Sequence, residues 1–125
     1  MLTFSQSTGQ LRRDGALLGF CYSGRGTGLN NPAMHDVHGN PDLTKPSGPL
    51  PCGVYTLQKQ NQESLGPLVF YLNPDKANNM FGRSNFFIHW DNQRHNFSAS
   101  EGCIVPLTTW TFYALQDGEK LTIIQ

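Results

Sequence analysis

"QLRRDGALLGFCY", residues 10–22, sets two apolar-rich runs on either side of Asp14-Gly15. Both residues of that pair tolerate the positive φ that a two-residue type I′ turn demands, so the stretch reads as a β-hairpin with strands over 10–13 and 16–22. Working outward, residues 2–6 make a further strand, set off by the turn Ser7-Thr8-Gly9. The same punctuation recurs along the chain. Thirteen glycines and eight prolines fall between short apolar runs, the pattern of an all-β domain with many turns. Residues 53–59 and 68–72 read as strands, 73–80 as a loop, and Lys120–Ile124 as a last strand after the turn Asp117-Gly118. Residues 109–115 read as one short helix with Thr108 as its N-cap. The prediction is one domain over 1–125, mostly β with one helix; neither a repeat nor a linker is visible.

Two regions depart from this rhythm. Residues 23–51 are Gly-, Asn- and Pro-rich with little periodicity and read as one long loop, a feature that in a compact domain is often functional. Residues 81–91 alternate with period two. Phe86, Ile88 and Trp90 would face the core, while Arg83, Asn85, Phe87, His89 and Asp91 would share the other face.

Composition narrows the function. Lys+Arg and Asp+Glu balance at nine each, and no basic stripe suggests nucleic acid as a partner. No apolar run approaches the roughly 20 residues that span a bilayer. Met1-Leu2-Thr3-Phe4-Ser5-Gln6 lacks a cationic stretch followed by an apolar one, so no signal peptide is expected. Three cysteines, Cys21, Cys52 and Cys103, are too few for a disulfide framework. At most one pair could bridge, and the expectation is that Cys21 and Cys52 are both free or joined to each other. No cofactor is expected. "GRGTG", residues 24–28, lacks the Lys-Ser/Thr of a phosphate-binding loop. His35 and His38 flank Asp36-Val37 but have no third ligand at a recognisable spacing, so no metal is expected.

"FFIHWDNQRHNFSASEGCIVP", residues 86–106, carries the chemistry. A cysteine nucleophile must become a thiolate, and a neighbouring histidine can take its proton. Gly102 would let the chain turn sharply before Cys103, and the Gly102 and Cys103 amides could then act as oxyanion donors. His89 could meet that turn across the loop 92–99, with His95 as second choice of base. The competing reading is a buried structural thiol near an unrelated histidine, since free cysteines are among the most buried residues.

These residues resemble a known family. "HWDN…SASEGCIV" is similar to the active-site signature of YkuD-type L,D-transpeptidases. The whole chain more closely resembles the short L,D-transpeptidase-like effectors of bacterial type VI secretion. It has Tyr22-Ser23-Gly24, Asn30-Asn31-Pro32 and Gly48-Pro49-Leu50-Pro51-Cys52-Gly53-Val54-Tyr55. Gly82-Arg83, Ile88-His89-Trp90-Asp91-Asn92 and Ser100-Glu101-Gly102-Cys103-Ile104 follow in order. The resemblance implies a β-sandwich-like domain acting on peptidoglycan stem peptides. Cys103 would attack the carbonyl joining the third stem residue to a terminal D-alanine, His89 would be the base, and the Trp90 carbonyl would orient it. Ser100, Asn85, Asp91 and Arg83 would contact substrate, Arg83 only at a distal part, since about 3.3 Å per residue puts it roughly 20 Å from His89 along a strand. The loop around Asn30 and Asn31 would help select the stem.

Glu101 stands where the wider family has a second histidine. Because a carboxylate opposes thiolate formation, its side chain is expected to point away from Cys103. Val105 replaces a residue that is often polar or arginine. Delivery by a secretion machine into a target periplasm, a secretion carrier and a cognate immunity protein are implied partners. Two alternatives stay open. A papain-like peptidoglycan amidase would need Cys21 or Cys52 ahead of the histidine, and a wall-binding or phage-structural module would keep the fold without activity.

Overall fold

Asp14 and Gly15 both take positive φ, 50° and 86°, and pair Arg13 with Ala16 across the expected two-residue turn. In the computed structural model, which describes residues 1–39, 44–60, 68–91 and 100–125, this hairpin joins β2 (Gln10–Arg13) to β3 (Ala16–Ser23). β1 (Leu2–Ser5) pairs with β2 on one side and runs parallel to the last strand, β8 (Lys120–Ile124), on the other. Between them come β4 (Gly53–Gln60), β5 (Val69–Pro74), β6 (Phe87–Ile88) and β7 (Ile104–Pro106). Eight strands close in the order β1-β2-β3-β7-β6-β5-β4-β8.

The all-β class is as read from the sequence, but the layers are not those of a sandwich. β8 pairs with both β1 and β4, so the sheet curls shut into a barrel and leaves no free edge between two facing sheets. Leu2, Phe4, Leu11, Tyr55, Leu57, Phe70, Leu72, Ile88, Ile104, Leu121 and Ile123 fill its interior. Their alternation along each strand is the period-two signal of a half-buried sheet.

The run 81–91 is not one strand. Phe81, Gly82 and Asn85 take positive φ, 54°, 72° and 63°, which breaks extended pairing and leaves only Phe87–Ile88 on the sheet. Phe86 and Ile88 are in the core as expected, with Trp90 packed against it. Arg83, however, is buried rather than carried on an exposed polar face. The helix, α1, is shorter than expected, Trp110–Tyr113, with Thr109 at its N-cap. The Thr108 hydroxyl lies 3.1 Å from that of Thr111 instead of capping. The long loop contains two 3-10 turns, Gly26–Gly28 and Pro32–Met34, and is pinned by the pairing of Arg25 with Ser47. It packs against the end of the barrel where β6 and β7 meet.

Candidate active site

β6 and β7 run parallel with Ile88 opposite Ile104, and both isoleucines point into the barrel. Alternation therefore puts Phe87, His89, Cys103 and Val105 together on the other face. The His89 N–H donates to the Ile104 carbonyl at 3.1 Å, so His89 and Cys103 are diagonal neighbours across two strand ends. The two residues are fourteen apart in sequence, and the parallel pairing is what puts them on one face.

His89 is held in one orientation. Its Nδ1 lies 2.8 Å from the Trp90 carbonyl. A carbonyl only accepts, so Nδ1 carries the proton and the neutral ring keeps its lone pair on Nε2. Trp90 is itself fixed, because its Nε1 donates to the Leu68 carbonyl at 3.0 Å and its ring stacks on Phe112 at 4.9 Å. Burial pushes the His89 pKa below the ordinary imidazole value near 6.5, while the Trp90 carbonyl and the Asp91 charge act the other way.

The turn before the nucleophile is bonded at each carbonyl from 101 to 103. The Glu101 carbonyl accepts from Ser47 Oγ at 2.7 Å and Arg83 Nη2 at 2.9 Å. The Gly102 carbonyl accepts from Ser23 Oγ at 2.7 Å, and the Cys103 carbonyl from Ser100 Oγ at 2.5 Å. Gly102 sits at φ 134°, where a Cβ would come within 2.5 Å of Phe86 Cε1 and 2.6 Å of Arg83 Nη2. Only glycine fits that conformation and that space. The result is a rigid platform for one sulfur atom.

Several expected roles change. Ser100 is fully buried and its hydroxyl accepts from the Gly24 and Gly102 amides at 2.9 and 3.0 Å; it organises the turn rather than offering itself to substrate. The same bond occupies the Gly102 N–H, which removes it as an oxyanion donor and leaves the Cys103 N–H as the available one. Arg83 is not a distal substrate contact. Its guanidinium donates to the carbonyls of His35, Gly48, Pro49 and Glu101 and lies over the Phe86 ring. Asp91 Oδ1 accepts from the Tyr22 hydroxyl at 2.6 Å. Asn30 and Asn31 brace the long loop, through the Ser23 and Ala33 amides respectively.

Asn85 is exposed beside Cys103, though off the strand on which it was expected. It lines a pocket of about 150 Å³ together with His38, Ser84, Phe86, Glu101 and Cys103. His38 had no sequence signal tying it to the nucleophile. His35 instead packs on Phe81, and among the described residues no metal-binding cluster forms. His95 and the loop 92–99 lie outside the described residues. The Glu101 carboxylate is drawn toward Arg25, at 3.1 Å, while Glu101 remains among the residues lining the pocket.

All three thiols are free. Cys21 is in the core and burial drives its thiol pKa strongly up; Cys52 is raised by the same cause. Burial also pushes Cys103 up to about 11; the Phe87 amide and the Arg83 charge favour its thiolate and Glu101 opposes it. The thiol is 3.9 Å from the Asn85 carbonyl, its resting acceptor, and 3.4 Å from the Phe87 N–H. Thiol and imidazole are thus both neutral at rest. Were Cys103 to act as a nucleophile with His89 as its base, proton transfer would accompany attack rather than precede it.

This fixes the sign of a pH dependence. Only neutral His89 can accept a proton, and its pKa lies below 6.5, so kcat/KM should fall on the acid side below that value. It should stay level from about pH 7 to the approach of the thiol pKa. Stability should also decline with acid, because the unfolded chain binds that proton more readily than the native one. A pH–rate profile with its acid limb above 6.5 would exclude His89 as the base.

The Tlde1 domain model matches residues 19–122. No curated protein and no solved structure matches the chain. The matched segment takes in β3 from Gly19 onward, the long loop, both partners of the His89–Cys103 face and most of β8. The chain belongs to the Tlde1 domain family, a family of type VI secretion effector domains.

Proposed function

We propose that this domain is a cysteine L,D-carboxypeptidase, with L,D-transpeptidase exchange as its second outcome, acting on the stem peptides of peptidoglycan. The observation that carries the reading is the bond from His89 Nδ1 to the Trp90 carbonyl, on the face shared with Cys103. Among the described residues Nε2 has no hydrogen-bond partner, which leaves it to act as the base. Cys103 Sγ forms a bond to the carbonyl carbon between the third stem residue and the terminal D-alanine, and Nε2 takes the thiol proton. The Cys103 N–H is placed to receive the oxyanion. Collapse breaks the C–N bond, and the Nε2 proton passes to the departing amine. Water, deprotonated by the same nitrogen, then cleaves the thioester to give a tripeptide; the amine of another D-amino acid gives an exchanged tetrapeptide. Membership of an effector family fits this target, with delivery into another cell and a cognate immunity protein. Among the described residues no helix is long and apolar enough to cross a membrane.

Purified tetrapeptide muropeptides should lose D-alanine to give tripeptides, read by mass spectrometry, and excess free D-amino acid should yield the exchanged tetrapeptide. Casein and all-L peptides should stay intact. Cleavage of glycan strands, or of the amide between glycan and stem, would overturn the assignment.

A further inference from the structure

Among the described residues, no lysine or arginine lines the pocket beside Cys103. Arg83, whose charge is felt at Cys103, is 4% exposed and donates from Nη1 and Nη2 to four backbone carbonyls. Glu101 lines the pocket together with Asn85, Ser84 and His38, and its charge acts on the Cys103 thiol. Arg25 holds Glu101 Oε1 at 3.1 Å but lines a different pocket, with Lys45. The Glu101 side chain is 35% exposed, and its carboxylate makes no second ion pair among the described residues. The pocket volume of about 150 Å³ has room for about five groups the size of a water molecule. Four methylenes and an ammonium would fill it.

We infer that Glu101 is a specificity residue that receives the side-chain ammonium of the stem residue whose carbonyl Cys103 attacks. This rests on the peptidase reading above. In a stem whose third residue carries a side-chain amine, that amine sits a short side chain from the scissile carbonyl. Recognition is also coupled to activation. The Glu101 charge raises the thiol pKa in the empty site, and a bound ammonium cancels that charge, so the correct substrate makes its own nucleophile easier to ionise.

The test uses two synthetic tetrapeptide stems ending in D-alanine, one with a free side-chain amine on the third residue and one with that amine acetylated. Both are titrated by calorimetry into the Cys103→Ala protein and into Cys103→Ala/Glu101→Gln. Glutamine keeps an acceptor for Arg25, and the backbone bonds of the turn do not involve the side chain. Acetylation should weaken binding to Cys103→Ala about tenfold, the scale of a charge-assisted hydrogen bond, and should make little difference to the double variant. With Cys103 intact, Glu101→Gln should react faster with iodoacetamide than wild type while cleaving the free-amine stem less efficiently. Equal binding of the two stems, no binding of either, or a preference that survives Glu101→Gln overturns the inference. A preference for the free amine, lost in Glu101→Gln, in a wild-type protein that cleaves neither stem would uphold Glu101 and sink the peptidase reading alone.

Discussion

Cys103→Ala and His89→Ala should each reduce D-alanine release by about four orders of magnitude or more, and the double variant should be no worse than either. The size for His89 follows from the site itself. A thiol at about 11 is ionised to only about one part in ten thousand at pH 7, so without a base to take its proton the nucleophile is present at that fraction. The residual rate of His89→Ala should therefore climb about tenfold per pH unit through the alkaline range, whereas wild type stays level there. Both variants should keep the near-ultraviolet circular dichroism of the native fold, because the turn is held by Ser23, Ser47, Ser100 and Arg83 rather than by the thiol. Near-normal release by Cys103→Ala would end the nucleophile assignment. Alkylation at Cys21 or Cys52 in its place would favour the amidase order of residues.

Local features were legible in the sequence. Asp14-Gly15 announced its hairpin, the alternation of Phe86 and Ile88 announced the core, and Lys120–Ile124 has the expected limits. Barrel closure was not, since it depends on β8 reaching both β1 and β4, a pairing between distant segments that no local pattern encodes. The strand reading of 81–91 failed at Phe81 and Asn85, two non-glycine residues at positive φ that propensity alone does not favour. That failure carried Arg83 onto the wrong surface. The motifs themselves were visible, but their reason was not. Tyr22-Ser23-Gly24 supplies the hydroxyl for Asp91, the hydroxyl for the Gly102 carbonyl and an amide for Ser100. Gly48-Pro49 supplies two of the carbonyls that hold Arg83. Segments far apart in the chain recur together because they meet at one turn.

Arg83→Ala should leave little folded protein, and Arg83→Lys should melt about 10 °C lower with impaired turnover. The guanidinium serves four carbonyls from three segments of chain. In the alanine variant Glu101 retains Ser47 as a donor, but the carbonyls of His35, Gly48 and Pro49 lose the bond that Arg83 made. Each buried group left without a partner costs about 1–3 kcal/mol, and three of them approach the roughly 5–15 kcal/mol that keeps a domain folded. A lysine ammonium brings charge and up to three donors but not the planar fork. A loss of about 2–3 kcal/mol then corresponds to about 10 °C for a domain of this size. The activity defect of Arg83→Lys should persist well below its melting temperature, because the long loop and the nucleophile turn are no longer clamped to each other. A solvent-facing arginine would tolerate either change within about 0.5 kcal/mol. Wild-type melting of Arg83→Ala would therefore show that the clamp is not what holds Cys103 in place.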